Sequence, residues 1–151
     1  MANTYTRVYL HVIIRVKRGH PRIKPTFEKE LYGYIGAIIK NQGHFPVRIN
    51  GVSNHIHILL IFKPVGDLSA LMREVKSESS RMINEAGWTR RKFRWQVGFA
   101  AFSCDHHSVD VVVKYIEKQK EHHAKGRTFR AEYQEFLDMY GVDWNERYLE
   151  D

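Results

Sequence analysis

Along residues 5 to 17 the chain alternates: Val8, Leu10, Val12, Ile14 and Val16 fall on one side, and Arg7, Tyr9, His11, Arg15 and Lys17 largely on the other. A period of two predicts a half-buried strand. The period then lengthens. After Pro25-Thr26, the residues Phe27, Leu31, Tyr34, Ile35, Ile38 and Ile39 recur at helical spacing until Gly43 stops them. Residues 47 to 52 and 56 to 62 read as two strands joined by the turn Ser53-Asn54, an antiparallel hairpin ended by Pro64 and Gly66. Leu68, Leu71, Met72, Val75, Met82 and Ile83 mark a second helix over 67 to 86, with Asp67 as N-cap and Gly87 as stop. A strand near 97 to 103 follows. Asp105 then opens a helix to about His123, and Thr128 opens a last one in which Phe129, Tyr133, Phe136, Leu137 and Tyr140 share a face. The order β-α-β-β-α-β-α predicts an α+β fold on the split-βαβ plan: a mainly antiparallel sheet, helices chiefly on one face, and added C-terminal helices.

Composition narrows the setting. With 151 residues, 43% of them hydrophobic, the chain suits a single domain over 1–151 with one core. It shows no repeat and no low-complexity linker. The one cysteine, Cys104, excludes an intramolecular disulfide and a multi-cysteine zinc site, in keeping with a reducing compartment. Residues 1 to 7 are polar and the run after them is broken by His11 and Arg15, so neither a signal peptide nor a membrane span is expected. The expectation is a soluble, cytoplasmic protein. Lys plus Arg outnumber Asp plus Glu by 24 to 17, which suits a polyanionic partner but also a membrane-surface protein.

Two groups of residues carry candidate chemistry. In a strand, His55 and His57 emerge on one face while Ile56, Ile58 and Leu60 point to the other, so the two imidazoles can reach one ion. The same spacing also suits two solvated histidines on an open sheet face. In the helix after Asp105, Val109, Val112, Val113 and Ile116 form a buried stripe, and Tyr115, Gln119 and His122 stack on a neighbouring stripe that would face a groove. Lys114, Lys118, Lys120 and Lys125 crowd the same region, where they would attract a phosphate and favour a phenolate, or form an ordinary solvated face. Arg90, Arg91, Lys92, Phe93, Arg94 and Trp95 mix basic and aromatic side chains, as a strand-gripping segment does, with Trp95 better suited to the core than to a stacking platform. His11 borders this face and reads as solvated. Asp105-His106-His107 reads as an N-cap followed by diverging side chains rather than as a second metal site.

Three separated stretches in order give the chain a family likeness: Asn54-His55-Ile56-His57-Ile58-Leu59-Leu60, then Trp95-Gln96-Val97-Gly98-Phe99-Ala100-Ala101-Phe102-Ser103, then Tyr115-Ile116-Glu117-Lys118-Gln119-Lys120-Glu121-His122-His123. Together they resemble the insertion-sequence HUH transposases with one catalytic tyrosine, the TnpA type of the IS200-like family, and their REP-associated relatives. The resemblance runs from about Tyr5 to Tyr140, with Phe99 standing where relatives often have tyrosine. It implies a ferredoxin-like or RRM-like domain that acts on single-stranded DNA, often hairpin-containing, with Mg²⁺ or Mn²⁺, as a homodimer in which one subunit's tyrosine helix can complete its partner's site. Carried over residue by residue, His55 and His57 match the metal-binding pair, Gln119 the third ligand and Tyr115 the nucleophile. Arg90, Arg91, Lys92, Arg94, Lys114 and Lys118 are the candidate DNA contacts. The expected reaction is strand cleavage and rejoining through a 5′-phosphotyrosine. Two other classes fit part of the pattern: a non-catalytic RRM-like nucleic-acid binder, which has no use for Tyr115, and a metal-dependent phosphoesterase, which forms no protein-linked product.

Overall fold

The computed structural model describes residues 3–146. Its elements are β1 (Val8–Arg15), α1 (Glu28–Asn41), β2 (Phe45–Val52), β3 (His55–Phe62), α2 (Leu68–Ala86), β4 (Ala100–Cys104), α3 (Val109–Glu117), α4 (Gln119–Ala124) and α5 (Phe129–Met139). The strands form one sheet in the order β2-β3-β1-β4, every neighbouring pair antiparallel. This is the split-βαβ plan expected from the pattern, with α1 and α2 on one face. Among the described residues no helix is long and apolar enough to cross a membrane.

Local chemistry sets the element ends. Asp67 accepts a hydrogen bond from the Ala70 amide at 2.7 Å and so caps α2, and Gly87 closes that helix at φ 68, where a side chain would be strained. Thr128 caps α5 through the Ala131 amide. The main core lies between the sheet and the first two helices: Val12, Ile14, Ile56, Ile58 and Leu60 meet Leu31, Ile35, Ile39, Leu71, Met72 and Val75. Phe93 and Trp95 join it, and the Trp95 indole donates to Ser79 Oγ at 2.9 Å, so Trp95 is core as its setting suggested.

The opposite sheet face departs from expectation. Alternation in β1 predicts one solvated face, yet both faces of β1 and β3 are covered. Tyr9, Leu59 and Ile61 pack under Ile116 of α3, and Ile13, Ala100 and Phe102 pack under Phe129 and Leu137 of α5. The C-terminal helices bury apolar stripes of their own, and this second face of the sheet is the surface they bury them against. The strand near 97 to 103 is shorter than expected, with Val97 standing 87% exposed before β4 begins.

The helix expected over 105 to 123 is divided. Residues 106–108 form a 3₁₀ turn without a side-chain cap from Asp105, and a break at Lys118 separates α3 from α4. Asn50 of β2 spans the break by donating to the carbonyls of Ile116 and Glu117 at 2.8 and 3.3 Å. Such partners compensate the carbonyls that a helix end leaves free.

The β2–β3 hairpin depends on one small residue. A Cβ at Gly51 would lie 2.2 Å from the His55 carbonyl oxygen and 2.6 Å from Ile56 Cα. Backbone atoms of a paired strand cannot retreat as a side chain can. Gly51→Ala is expected to lower the unfolding free energy by about 3 kcal/mol, read from urea denaturation. An unchanged midpoint would show that β2 and β3 can separate there at no cost.

Candidate active site

The start of β3 carries His55 and His57 to the face roofed by the C-terminal helices, and both are fully buried. The open sheet face with solvated histidines is therefore not what the chain builds. Glu132, on the underside of α5 and also fully buried, stands between them: its Oε1 lies 2.9 Å from Nε2 of each histidine. Gln119, the first residue of α4, donates from Nε2 to Glu132 Oε2 at 2.8 Å and turns Oε1 to within 3.2 Å of His55 Nε2. The Tyr115 hydroxyl donates to Glu132 Oε2. His123 completes the ring of neighbours, its Nε2 3.3 Å from Glu132 Oε1. The sequence-derived set His55, His57, Tyr115 and Gln119 thus converges within one chain, around a carboxylate that the sequence reading missed.

Glu132 left a signal. It lies three residues after Phe129 and four before Phe136, inside the apolar stripe that docks α5. A carboxylate on a buried helix stripe needs partners to offset its desolvation, so it marks a site. His11 was also misplaced by sequence reading. It is 3% exposed rather than solvated, and its Nε2 lies 2.7 Å from His57 Nδ1.

The electrostatics favour a cation. Burial pushes His55 down to about 4, against the pull of Glu132, and pushes His11 down to about 3. Burial alone would raise the Glu132 carboxyl, but its hydrogen bonds with His55 and His57 outweigh burial and hold it far below the usual carboxylate range. At neutral pH the site is an ionised carboxylate facing the neutral imidazole of His55. A neutral imidazole has one N–H, and His55 has an acceptor for it on either side: Glu132 Oε1 at Nε2, or the Asn54 side-chain oxygen 2.8 Å from Nδ1. With the proton on Nδ1, His55 Nε2 gives up its hydrogen bond to Glu132 and has a lone pair free for an ion held beside Glu132 Oε1 and Gln119 Oε1. A cation there would take the place of that proton as the positive partner of the nitrogen and the two oxygens. Their separations of 2.9 and 3.2 Å compare with about 3 Å between adjacent ligands of an octahedral ion bound at ~2.1 Å. His55, His57 and Glu132 are also the only group of three such side chains able to hold a metal among the described residues, so Asp105-His106-His107 forms no second centre.

Tyr115 differs from the acidified phenol that a lysine cluster would give. Burial, reinforced by the hydrogen bond to Glu132, pushes its pKa up and keeps the hydroxyl protonated. Part of the lysine cluster is directed elsewhere: Lys120 donates to Asn50 Oδ1 and the Gly51 carbonyl and pairs with Glu28, tying α4 to β2. Lys114 and Lys118 remain exposed on α3 and at its end. Arg90, Arg91, Lys92 and Arg94 are exposed on the loop before β4. That loop is tied to the end of β1, Lys17 N donating to Arg94 O and Gln96 N to Arg15 O, at the end of the sheet where His55 begins β3. Lys92 and Arg94 line a groove of about 610 Å³ with Lys76 and Arg81 of α2.

A family model described as "Transposase IS200 like" matches residues 4–119. The chain belongs to the IS200-like transposase family. Solved structures agree on the fold of this IS200-like transposase. A candidate transposase from Deinococcus radiodurans is 18% identical, with a TM-score of 0.63 over 79% of this chain and 95% of that one. A REP-associated tyrosine transposase bound to a REP hairpin is 15% identical, with a TM-score of 0.59 over 100% of this chain and 93% of that one. No curated protein matches the chain. The family match ends at Gln119, so this transposase brings Glu132 to the site from outside the matched segment.

Proposed function

We propose that this transposase cleaves and rejoins single-stranded DNA through a 5′-phosphotyrosine on Tyr115, at a centre where His55, His57, Gln119 and Glu132 hold Mg²⁺ or Mn²⁺. The observation that carries the reading is the convergence of the Tyr115 hydroxyl, both histidines and Gln119 on one buried carboxylate. Two imidazole nitrogens with a carboxylate and an amide oxygen suit such an ion and leave positions for other oxygens. When bound, it would draw charge from a phosphate oxygen and ease departure of the 3′ oxygen.

The chain's own residues supply the rest. Tyr115 Oη gives up its proton as it forms the bond to phosphorus, and the 3′ oxygen departs and takes up a proton as a hydroxyl, so the phosphodiester energy is kept in the tyrosyl ester and a later 3′-hydroxyl can reverse the step. Glu132 holds the Tyr115 hydroxyl in place before attack. The α5 helix roofs the site and limits the access of water, which would otherwise compete for the ester. Arg90, Arg91, Lys92 and Arg94, with Lys114 and Lys118, offer phosphate contacts on the exposed loop and on α3. The REP hairpin bound by one structural relative makes a hairpin-bearing strand the first substrate to try.

The test is incubation of metal-stripped protein with hairpin-bearing single-stranded oligonucleotides from the flanks of its gene, with Mn²⁺ or with EDTA. A denaturing gel is expected to show an adduct only with Mn²⁺, and mass spectrometry to locate the nucleotide on Tyr115. Cleavage without any protein-linked product would favour the phosphoesterase instead.

The constellation is complete within one chain, so a homodimer, implied by the resemblance, is not needed to bring Tyr115 to the histidines. An equimolar mixture of Tyr115→Phe and His57→Ala chains is therefore expected to form no adduct. Adduct formation in that mixture would mean that tyrosine helices are exchanged between subunits.

A further inference from the structure

His57 is held from behind. Its Nδ1 lies 2.7 Å from Nε2 of His11, a β1 residue, and both rings are shut away from bulk solvent. Two imidazole nitrogens at that distance share one proton, so one ring donates and the other accepts. On its far side His57 presents Nε2 to Glu132 Oε1 at 2.9 Å. A neutral imidazole carries a single N–H, so the direction of the His11 contact dictates what Nε2 offers to the site. With His11 as donor, His57 keeps its proton on Nε2 and cannot ligate. With His11 as acceptor, Nε2 is a free lone pair.

We propose that His11 is the positioning residue that makes His57 a metal ligand, its Nε2 accepting the Nδ1 proton of His57. This rests on the reading of the site as a divalent-cation centre. Asn54 stands in the same relation to His55, with Oδ1 2.8 Å from His55 Nδ1, so each imidazole has its own acceptor behind it. The two arrive by different routes, Asn54 from the residue next to its histidine and His11 from the neighbouring strand. Packing fixes the His11 ring in this pose, edge-on to Phe136 with centroids 5.1 Å apart and to Tyr115 at 6.5 Å. An acceptor of this kind fixes the tautomer and ring orientation of the ligand and raises its basicity.

The experiment compares wild type with His11→Leu, His11→Gln and Phe136→Leu. Leucine removes the acceptor, glutamine restores one as an amide oxygen, and Phe136→Leu disturbs the same packing while leaving the acceptor in place. Mn²⁺ affinity of metal-stripped protein is read by electron paramagnetic resonance titration, and the His57 ring ¹⁵N shifts are read in the Mg²⁺-loaded wild type. His11→Leu is expected to weaken Mn²⁺ binding by about 10–100-fold, with the other two variants within about threefold of wild type. His57 is expected to carry its proton on Nδ1 in the loaded protein. Wild-type affinity in His11→Leu, an equal loss in His11→Gln, or a proton on His57 Nε2 in the loaded protein would each overturn the proposal while leaving the metal centre standing. A wild type that binds no divalent cation would overturn the centre itself and this inference with it.

Discussion

Tyr115→Phe is expected to reduce the covalent DNA adduct by at least about three orders of magnitude while leaving strand affinity within about twofold of wild type. The substitution removes one oxygen and nothing else. The ring keeps its neighbours: His57 at 5.9 Å, His122 at 5.1 Å, Phe136 at 5.6 Å and the Arg127 guanidinium at 5.9 Å. Glu132 Oε2, which loses the phenol as a donor, retains the Gln119 amide. The fold therefore has little reason to respond, and a loss of chemistry can be assigned to the missing nucleophile. Because burial and Glu132 push the phenol up, its hydroxyl is a neutral group rather than a resident phenolate. A denaturing gel run beside a binding assay reads both outcomes. Adduct that survives in Tyr115→Phe would assign the bond to another side chain, and cleavage that survives without adduct would point to activated water.

Glu132→Ala tests the residue on which the site converges. In wild type, Mn²⁺ at about 100 times its dissociation constant is expected to add about 2.7 kcal/mol of stability, because the ion binds the folded chain and not the unfolded one. Loss of a charged oxygen ligand weakens binding by about 100-fold or more, so at the same Mn²⁺ concentration most of that stabilisation disappears. The metal-free protein is expected to lose about 1–3 kcal/mol as well, since Gln119 Nε2 and the Tyr115 hydroxyl lose an acceptor in a buried setting. Thermal melts of both proteins, with EDTA and with Mn²⁺, separate the two effects. An equal Mn²⁺-dependent shift in Glu132→Ala would remove this carboxylate from the ligand set.

Much of the fold was legible because the period of two in β1 and the period of 3.6 in α1 and α2 reflect burial directly. The failures come from the second layer. His11 reads as solvated only if that face of β1 is open, and nothing within β1 reveals that α5 will cover it. The break at Lys118 is likewise invisible locally, since its compensation is supplied by Asn50 on a distant strand. Four of the five residues proposed for the chemistry, His55, His57, Tyr115 and Gln119, could be read because their spacing repeats a family pattern. Glu132 lies beyond the three motifs and beyond Gln119, where the family match ends, and sits among the apolar residues of α5.

The bonds that fasten α5 through Glu132 to β3, α3 and α4 are the same bonds that order the centre. Adding or stripping the proposed ion would change how firmly that one helix is anchored, and with it how often its amides open to solvent. Deuterium uptake along residues 129–139 is therefore expected to fall when Mn²⁺ is added, a gauge of the proposed centre that is readable with no DNA present and with Tyr115 replaced.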